Sequence, residues 1–149
     1  MPEQTGWQRS AAVHSAVTIR GVLETILYAG DLAGAERFYV GALGLAVVSR
    51  NEPVGLTLRA GPGSVLLVFD PAQAEQPGRP VPSHGARGPG HVALRIDASA
   101  YDEWLGRLRD AGVAIEHEHE WDGRGRSIYV RDPAGNSVEL ITADIWPPA

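Results

Sequence analysis

Gly90-His91-Val92-Ala93-Leu94-Arg95-Ile96 is a short aliphatic run, and it restates an earlier one, Val22-Leu23-Glu24-Thr25-Ile26-Leu27-Tyr28. Both are rich in aliphatic and β-branched residues, the composition of a strand. Laid over each other, Glu24 falls on His91, 67 positions later. The segments after the two runs match as well. After the first, Asp31 is a good N-cap for a helix over Leu32 to Ala42, with Leu32, Ala35, Phe38, Tyr39 and Leu43 at helical spacing and Gly44 at its end. After the second, Ser99 and Asp102 make a capping-box-like start, and Tyr101, Trp104, Leu105 and Leu108 mark the buried stripe of a helix ending at Gly112. Leu43-Gly44 falls on Ala111-Gly112, 68 positions later, so one residue of slack separates strand from helix.

Three strand candidates close each half. In the first they are Leu45 to Arg50, Gly55 to Ala60 and Ser64 to Phe69, with Gly61-Pro62-Gly63 turning between the last two. In the second they are Val113 to Glu120, Arg126 to Arg131 and Ser137 to Thr142, with Asp132-Pro133-Ala134-Gly135-Asn136 as the turn. The chain therefore reads β-α-β-β-β twice, an α+β fold. The modules are expected at 21–70 and 90–143, between an N-terminal tail, 1–20, and a C-terminal tail, 144–149. Each module alone is a sheet with one bare face, so pairing two should give a larger curved mixed sheet with a concave interior. The Pro/Gly-rich linker, 71–89, lacks periodicity and is expected to be a mobile flap over the site.

Composition narrows the chemistry. The 149 residues suit one domain or two small modules, and 44% hydrophobic with 21% charged residues is ordinary for a globular chain. Cysteine is absent, which excludes disulfides, thiolate nucleophiles and cysteine-bound zinc. All 13 basic residues are Arg, so Schiff-base lysine chemistry and a P-loop lysine are excluded too. A formal charge of -5 without a basic cluster argues against nucleic acid as a partner. No apolar run is long enough to span a membrane, and the start of the chain does not read as a signal peptide, so a cytoplasmic location is expected. Arg without Lys, among abundant Ala and Gly, points to a GC-rich bacterial genome.

Strand parity then selects candidates, since alternate side chains share a face. Glu24, Ile26 and Tyr28 lie together on the first strand; His91, Ala93 and Arg95 on the fifth; Ser137, Glu139 and Ile141 on the last. Three strands thus each turn one metal-capable residue toward the concave side. Taken singly, Glu24 reads as an exposed edge carboxylate and His91 as a hydrogen-bonded histidine. Their matching repeat positions favour a shared role. Glu139 interrupts an apolar run, and a buried carboxylate is costly unless paired or bound to a cation. His84, in the linker, reads as a solvated loop histidine or as an acid/base that swings over the site. His117 and His119 alternate with glutamates and read as a hydrated edge that discourages sheet-to-sheet pairing.

From Val22 to Thr142 the chain resembles the vicinal oxygen chelate superfamily, which includes glyoxalase I, extradiol dioxygenases, fosfomycin-resistance enzymes and bleomycin-binding resistance proteins. The matching text is Leu23 to Leu32, Ala35-Glu36-Arg37-Phe38-Tyr39, Leu43-Gly44-Leu45, Gly90 to Leu94 and, most specifically, Tyr129 to Leu140. The resemblance implies metal ligands at Glu24, His91 and Glu139. The matching place in the first module's fourth strand is Leu66 or Leu67, aliphatic either way, so three ligands are implied. Glu24 is a departure, since many relatives carry His there. Two carboxylates and one imidazole would make one divalent ion formally neutral, which favours Mn, Fe or Mg, with Zn and Ni also open. Tyr129 matches a substrate-facing position of the fosfomycin-type enzymes, and Ser127 and Arg131 share its face.

The function implied is a metal-dependent lyase, isomerase, transferase or oxygenase acting on a small molecule with adjacent oxygen atoms, with Tyr129 and His84 as catalytic candidates. A homodimer is implied as well, and superfamily dimers build their sites both within one chain and across two. The alternative is a metal-free drug- or metabolite-binding resistance protein.

Overall fold

The computed structural model describes residues 17–147; the first sixteen positions of the expected N-terminal tail and the last two of the C-terminal tail lie outside the described residues. The first module comprises β1 (Glu24–Tyr28), helix α1 (Leu32–Glu36) continuing as a π-helical stretch (Arg37–Ala42), β2 (Ala46–Asn51), β3 (Gly55–Gly61) and β4 (Ser64–Phe69). A short helix, α2 (Pro71–Ala74), follows it. The second module comprises β5 (His91–Arg95), a 3-10 turn (Ala98–Ala100) leading into α3 (Tyr101–Asp110), β6 (Ile115–Glu120), β7 (Arg126–Arg131) and β8 (Ser137–Ile141). Asp31 caps α1 as expected, its Oδ1 accepting from the Gly34 amide at 2.8 Å.

The linker differs from its reading as a patternless flap. Helix α2 carries Pro in its first turn, and the Asp70 carboxylate accepts from the Ala72 amide at 2.9 Å. Beyond it the segment is tied back: the His84 amide donates to the Ala74 carbonyl at 3.2 Å, and Arg87 pairs with Glu75 at 2.6 Å.

The two modules repeat in topology. Their sheets run β1-β4-β3-β2 and β5-β8-β7-β6, and in each the first strand is parallel to its neighbour while the rest are antiparallel. The sheets share no hydrogen-bonded strand pair among the described residues, so β1 and β5 are both open edges. Leu67 sits between Ile26 and Thr57 as Glu139 sits between Ala93 and Tyr129, which identifies Leu67 as the first-module counterpart of Glu139.

One core serves both modules. Leu27, Leu56, Leu58, Leu66 and Val68 from the first sheet join Ile128, Val130, Val138 and Leu140 from the second, with Phe38, Tyr39, Tyr101 and Leu108 from the helices. Polar links cross the same junction. Tyr39 donates to Asp132 Oδ2 at 2.8 Å, Asn136 Nδ2 donates to the Tyr28 carbonyl at 3.0 Å, and Arg107 Nε donates to the Ala42 carbonyl at 2.8 Å. Burial raises the Tyr39 phenol's pKa, and the Asp132 charge raises it further, so Tyr39 stays a donor. Gly90 sits close in this seam: a Cβ there would lie 2.8 Å from Leu27 Cδ2, so the Leu27 side chain would have to shift to admit one. Because the helix-covered faces are joined in one core, the opposite faces, which carry Glu24 and the His91–Glu139 pair, stay open within one chain.

Candidate metal centre

Glu139 lies on a central strand between Tyr129 and Ala93, and it is only 5% exposed. It is not orphaned. Its Oε1 accepts from Ser127 Oγ at 2.5 Å and from the Tyr129 hydroxyl at 2.9 Å, while Oε2 faces His91 Nε2 at 3.3 Å. Burial and the Glu139 acceptor both raise the Tyr129 pKa, so its hydroxyl keeps its proton and donates. His91 stands on the open edge, its side chain 51% exposed and its Nδ1 3.2 Å from Ser137 Oγ.

This donor set fits a divalent ion. Ligands bound at about 2.1 Å and roughly at right angles lie about 3 Å apart, close to the separation of Oε2 and Nε2. Each donor also has its second heteroatom occupied by a neighbour, the arrangement that orients metal ligands. A groove of about 380 Å³ opens beside the pair, with Ala93, Ile141 and Ala143 along it, the Arg95–Asp144 ion pair at one side and Trp146 at its rim. A larger cleft of about 560 Å³ opens between Phe38, Val113 and Pro133, with neither His91 nor Glu139 in its wall.

Glu24 behaves differently. Parity places it correctly on the open face of β1 with Ile26 and Tyr28, but it is exposed and lies in the other sheet. Among the described residues of one chain, no group of three His, Cys, Asp or Glu side chains is placed to hold a metal. The expected convergence of Glu24, His91 and Glu139 therefore does not occur within one chain, because the shared core turns the open faces away from each other. His84, in the linker, packs against the first sheet: its Nδ1 is 2.6 Å from the Tyr28 hydroxyl and its ring stacks on Phe69. His117 and His119 are exposed on the edge strand β6, the first near Tyr129 and the second edge-on to Trp121. Ser127 is the partner that the sequence left without a role: it is fully buried, and Trp121 Nε1 donates to it at 2.7 Å. Parity places Ser127 on the right face, but nothing in its identity marks it as a partner of Glu139.

A family model for the Glyoxalase/Bleomycin resistance protein/Dioxygenase superfamily matches residues 21–140, and the chain belongs to that superfamily. A solved lactoylglutathione lyase from Agrobacterium tumefaciens is 39% identical, with a TM-score of 0.76 over 83% of this chain and 93% of that one. The fosfomycin resistance protein FosX of Listeria monocytogenes is 39% identical over 51 residues, which span 34% of this chain and 38% of that protein's length. A solved mutant of Listeria FosX, complexed with Mn(II) and 1S,2S-dihydroxypropylphosphonic acid, shares the fold at 20% identity, with a TM-score of 0.65 over 86% of this chain and 94% of that one.

Proposed function

We propose that this protein is a divalent-metal enzyme for a small molecule bearing adjacent oxygens, and that its site is completed between two copies of the chain. His91 and Glu139 would come from one copy and Glu24 from the other. The observation that carries the reading is the buried Glu139 carboxylate, with one oxygen held by Ser127 and Tyr129 and the other turned to His91 on an open edge. The matching open edge, β1, carries Glu24, and exposed apolar side chains adjoin both edges: Val22 and Leu23 immediately before β1, and Trp146 in the groove beside β5. Such side chains beside unpaired strand edges favour association with a second copy.

Bound there, a divalent ion would act as a Lewis acid toward substrate oxygens. The chain's own residues do the rest. Ser127 and Tyr129 fix the carboxylate, and Ser137 orients the His91 ring. His84 and Tyr28 would face the shared site from the side of Glu24, since Tyr28 lies on its face of β1. Support for the metal comes also from the Mn(II) complex of Listeria FosX, and support for the substrate class from the diol phosphonate bound with it. The likeness to lactoylglutathione lyase keeps lyase or isomerase chemistry open.

The test is to purify the chain without a histidine tag and titrate it with Mn²⁺, Fe²⁺, Mg²⁺, Zn²⁺ and Ni²⁺ by calorimetry. The expected result is one ion per Glu139, with at least a roughly tenfold weaker fit for Glu139→Gln, an amide being a poorer ligand than a carboxylate. Failure of all five ions to bind would overturn the metal reading and favour the metal-free, ligand-sequestering alternative.

A further inference from the structure

We infer that Trp121, in the hairpin turn between β6 and β7, is a positioning residue that selects which oxygen of Glu139 is free for a cation, acting through Ser127. The inference rests on the metal reading above. An indole N–H can donate and cannot accept, so the 2.7 Å contact from Trp121 Nε1 uses Ser127 Oγ as an acceptor. The Ser127 hydroxyl has one proton, and the acceptor within reach of it is Glu139 Oε1 at 2.5 Å. Ser127 is fully buried, so no bulk water competes for that proton. The chain Trp121 to Ser127 to Glu139 therefore runs in one direction only. Tyr129 adds a second donor to the same oxygen at 2.9 Å. With Oε1 held twice, the carboxylate is set to offer a cation Oε2 alone, leaving the remaining coordination positions to substrate.

The turn that holds Trp121 is built for this. The Trp121 amide donates to the Gly125 carbonyl at 2.8 Å, and the Arg124 amide donates back to the Trp121 carbonyl at 2.8 Å. Asp122 and Gly123 both take positive φ, 46° and 72°. Gly125, at φ 147°, packs so closely on the segment that follows β8 that a Cβ would meet Ala143 at 2.5 Å. His119 closes the other side, its ring edge-on to the indole at 4.5 Å.

The experiment measures Mn²⁺ affinity and the electron paramagnetic resonance spectrum of bound Mn²⁺ in wild-type protein, Trp121→Phe, Ser127→Ala and the double variant. Trp121→Phe keeps an aromatic ring in place and removes the donor. Both single variants are expected to weaken Mn²⁺ by roughly tenfold, to change the spectrum in the same sense, and to show no further loss when combined, as members of one relay must. Tyr129→Phe removes the other donor to the same oxygen and should also weaken Mn²⁺. A Trp121→Phe protein with wild-type affinity and spectrum overturns the inference, and so does full additivity of Trp121→Phe with Ser127→Ala. If Trp121→Phe fails to fold, the ¹⁵N-indole resonance of Trp121 in the unmutated protein decides, with Zn²⁺ as a diamagnetic probe. It should shift along the Zn²⁺ binding curve, and an unmoved resonance refutes the relay. Wild-type protein that binds no ion refutes the metal reading itself, and with it the relay's purpose.

Discussion

Replacing Asn136 with alanine should cost more stability than any surface change. Its side chain is 1% exposed and holds three partners: it accepts from the Gly90 amide at 2.7 Å and donates to the Tyr28 carbonyl at 3.0 Å and to Asp132 Oδ2 at 2.8 Å. Asp132 would still receive the Tyr39 hydroxyl, but the Gly90 N–H and the Tyr28 C=O would be stranded at the junction of the modules. Both groups are part-buried, so at about 1 kcal/mol for each, plus the lost bond to a carboxylate, the change should cost about 3–4 kcal/mol. That is a large part of a typical total of about 5–15 kcal/mol. Urea denaturation followed by circular dichroism should show a lower midpoint at unchanged slope, and thermal scans a fall of about 10 °C. A loss below about 1 kcal/mol, the range of ordinary exposed positions, would refute the view that Asn136 ties β1, β5 and the β7–β8 turn together.

Tyr101 should leave a mark at high pH. Burial first, and the hydrogen bond to Glu118 second, raise its phenol to about 12, against an ordinary value of 10.0. Its contribution is therefore fully present below the unfolded value and lost as pH rises through the folded one, so wild-type stability should fall between about pH 10 and 12, and Tyr101→Phe should show a shallower decline over that window. An identical pH dependence in the two proteins would count against it. His117→Ala should leave Mn²⁺ content unchanged by elemental analysis, since that side chain is exposed on β6 and bonds neither His91 nor Glu139; metal loss would move His117 into the site. Light scattering at micromolar concentration should give twice the chain mass of 15.9 kDa, and a monomer would remove the proposed source of the third ligand.

The strands and their faces were legible because period-two alternation is local. Leu27, Val138 and Leu140 declare the core side, which leaves Glu24, His91 and Glu139 on the other by parity alone. Edge positions of β1 and β5, by contrast, depend on pairing across the whole module. The relation between the modules depends on Tyr39 meeting Asp132 and Asn136 meeting the Tyr28 carbonyl, contacts between residues 93 and 108 positions apart. No local pattern encodes that junction, so the sequence pointed all three candidate ligands toward one hollow when a single chain turns two of them one way and Glu24 another. The helix at Pro71–Ala74 was hidden for a different reason: four residues are too few to show a period, and only the Asp70-Pro71 cap announces it. Ser127 carries no signal of its own, since a serine on a strand is indistinguishable from a solvated one until its neighbours are known.

Mixing two inactive variants tests the shared site most directly. Glu24→Ala and His91→Ala proteins, each expected to bind Mn²⁺ poorly alone, are combined in equal amounts, dissociated in mild denaturant and reassembled. If each site takes Glu24 from one copy and His91 with Glu139 from the other, every mixed dimer regains one intact site, and Mn²⁺ binding should return to about a quarter of the wild-type capacity at wild-type affinity. Reassembled mixtures that contain mixed dimers by mass spectrometry and recover no Mn²⁺ binding would contradict the account.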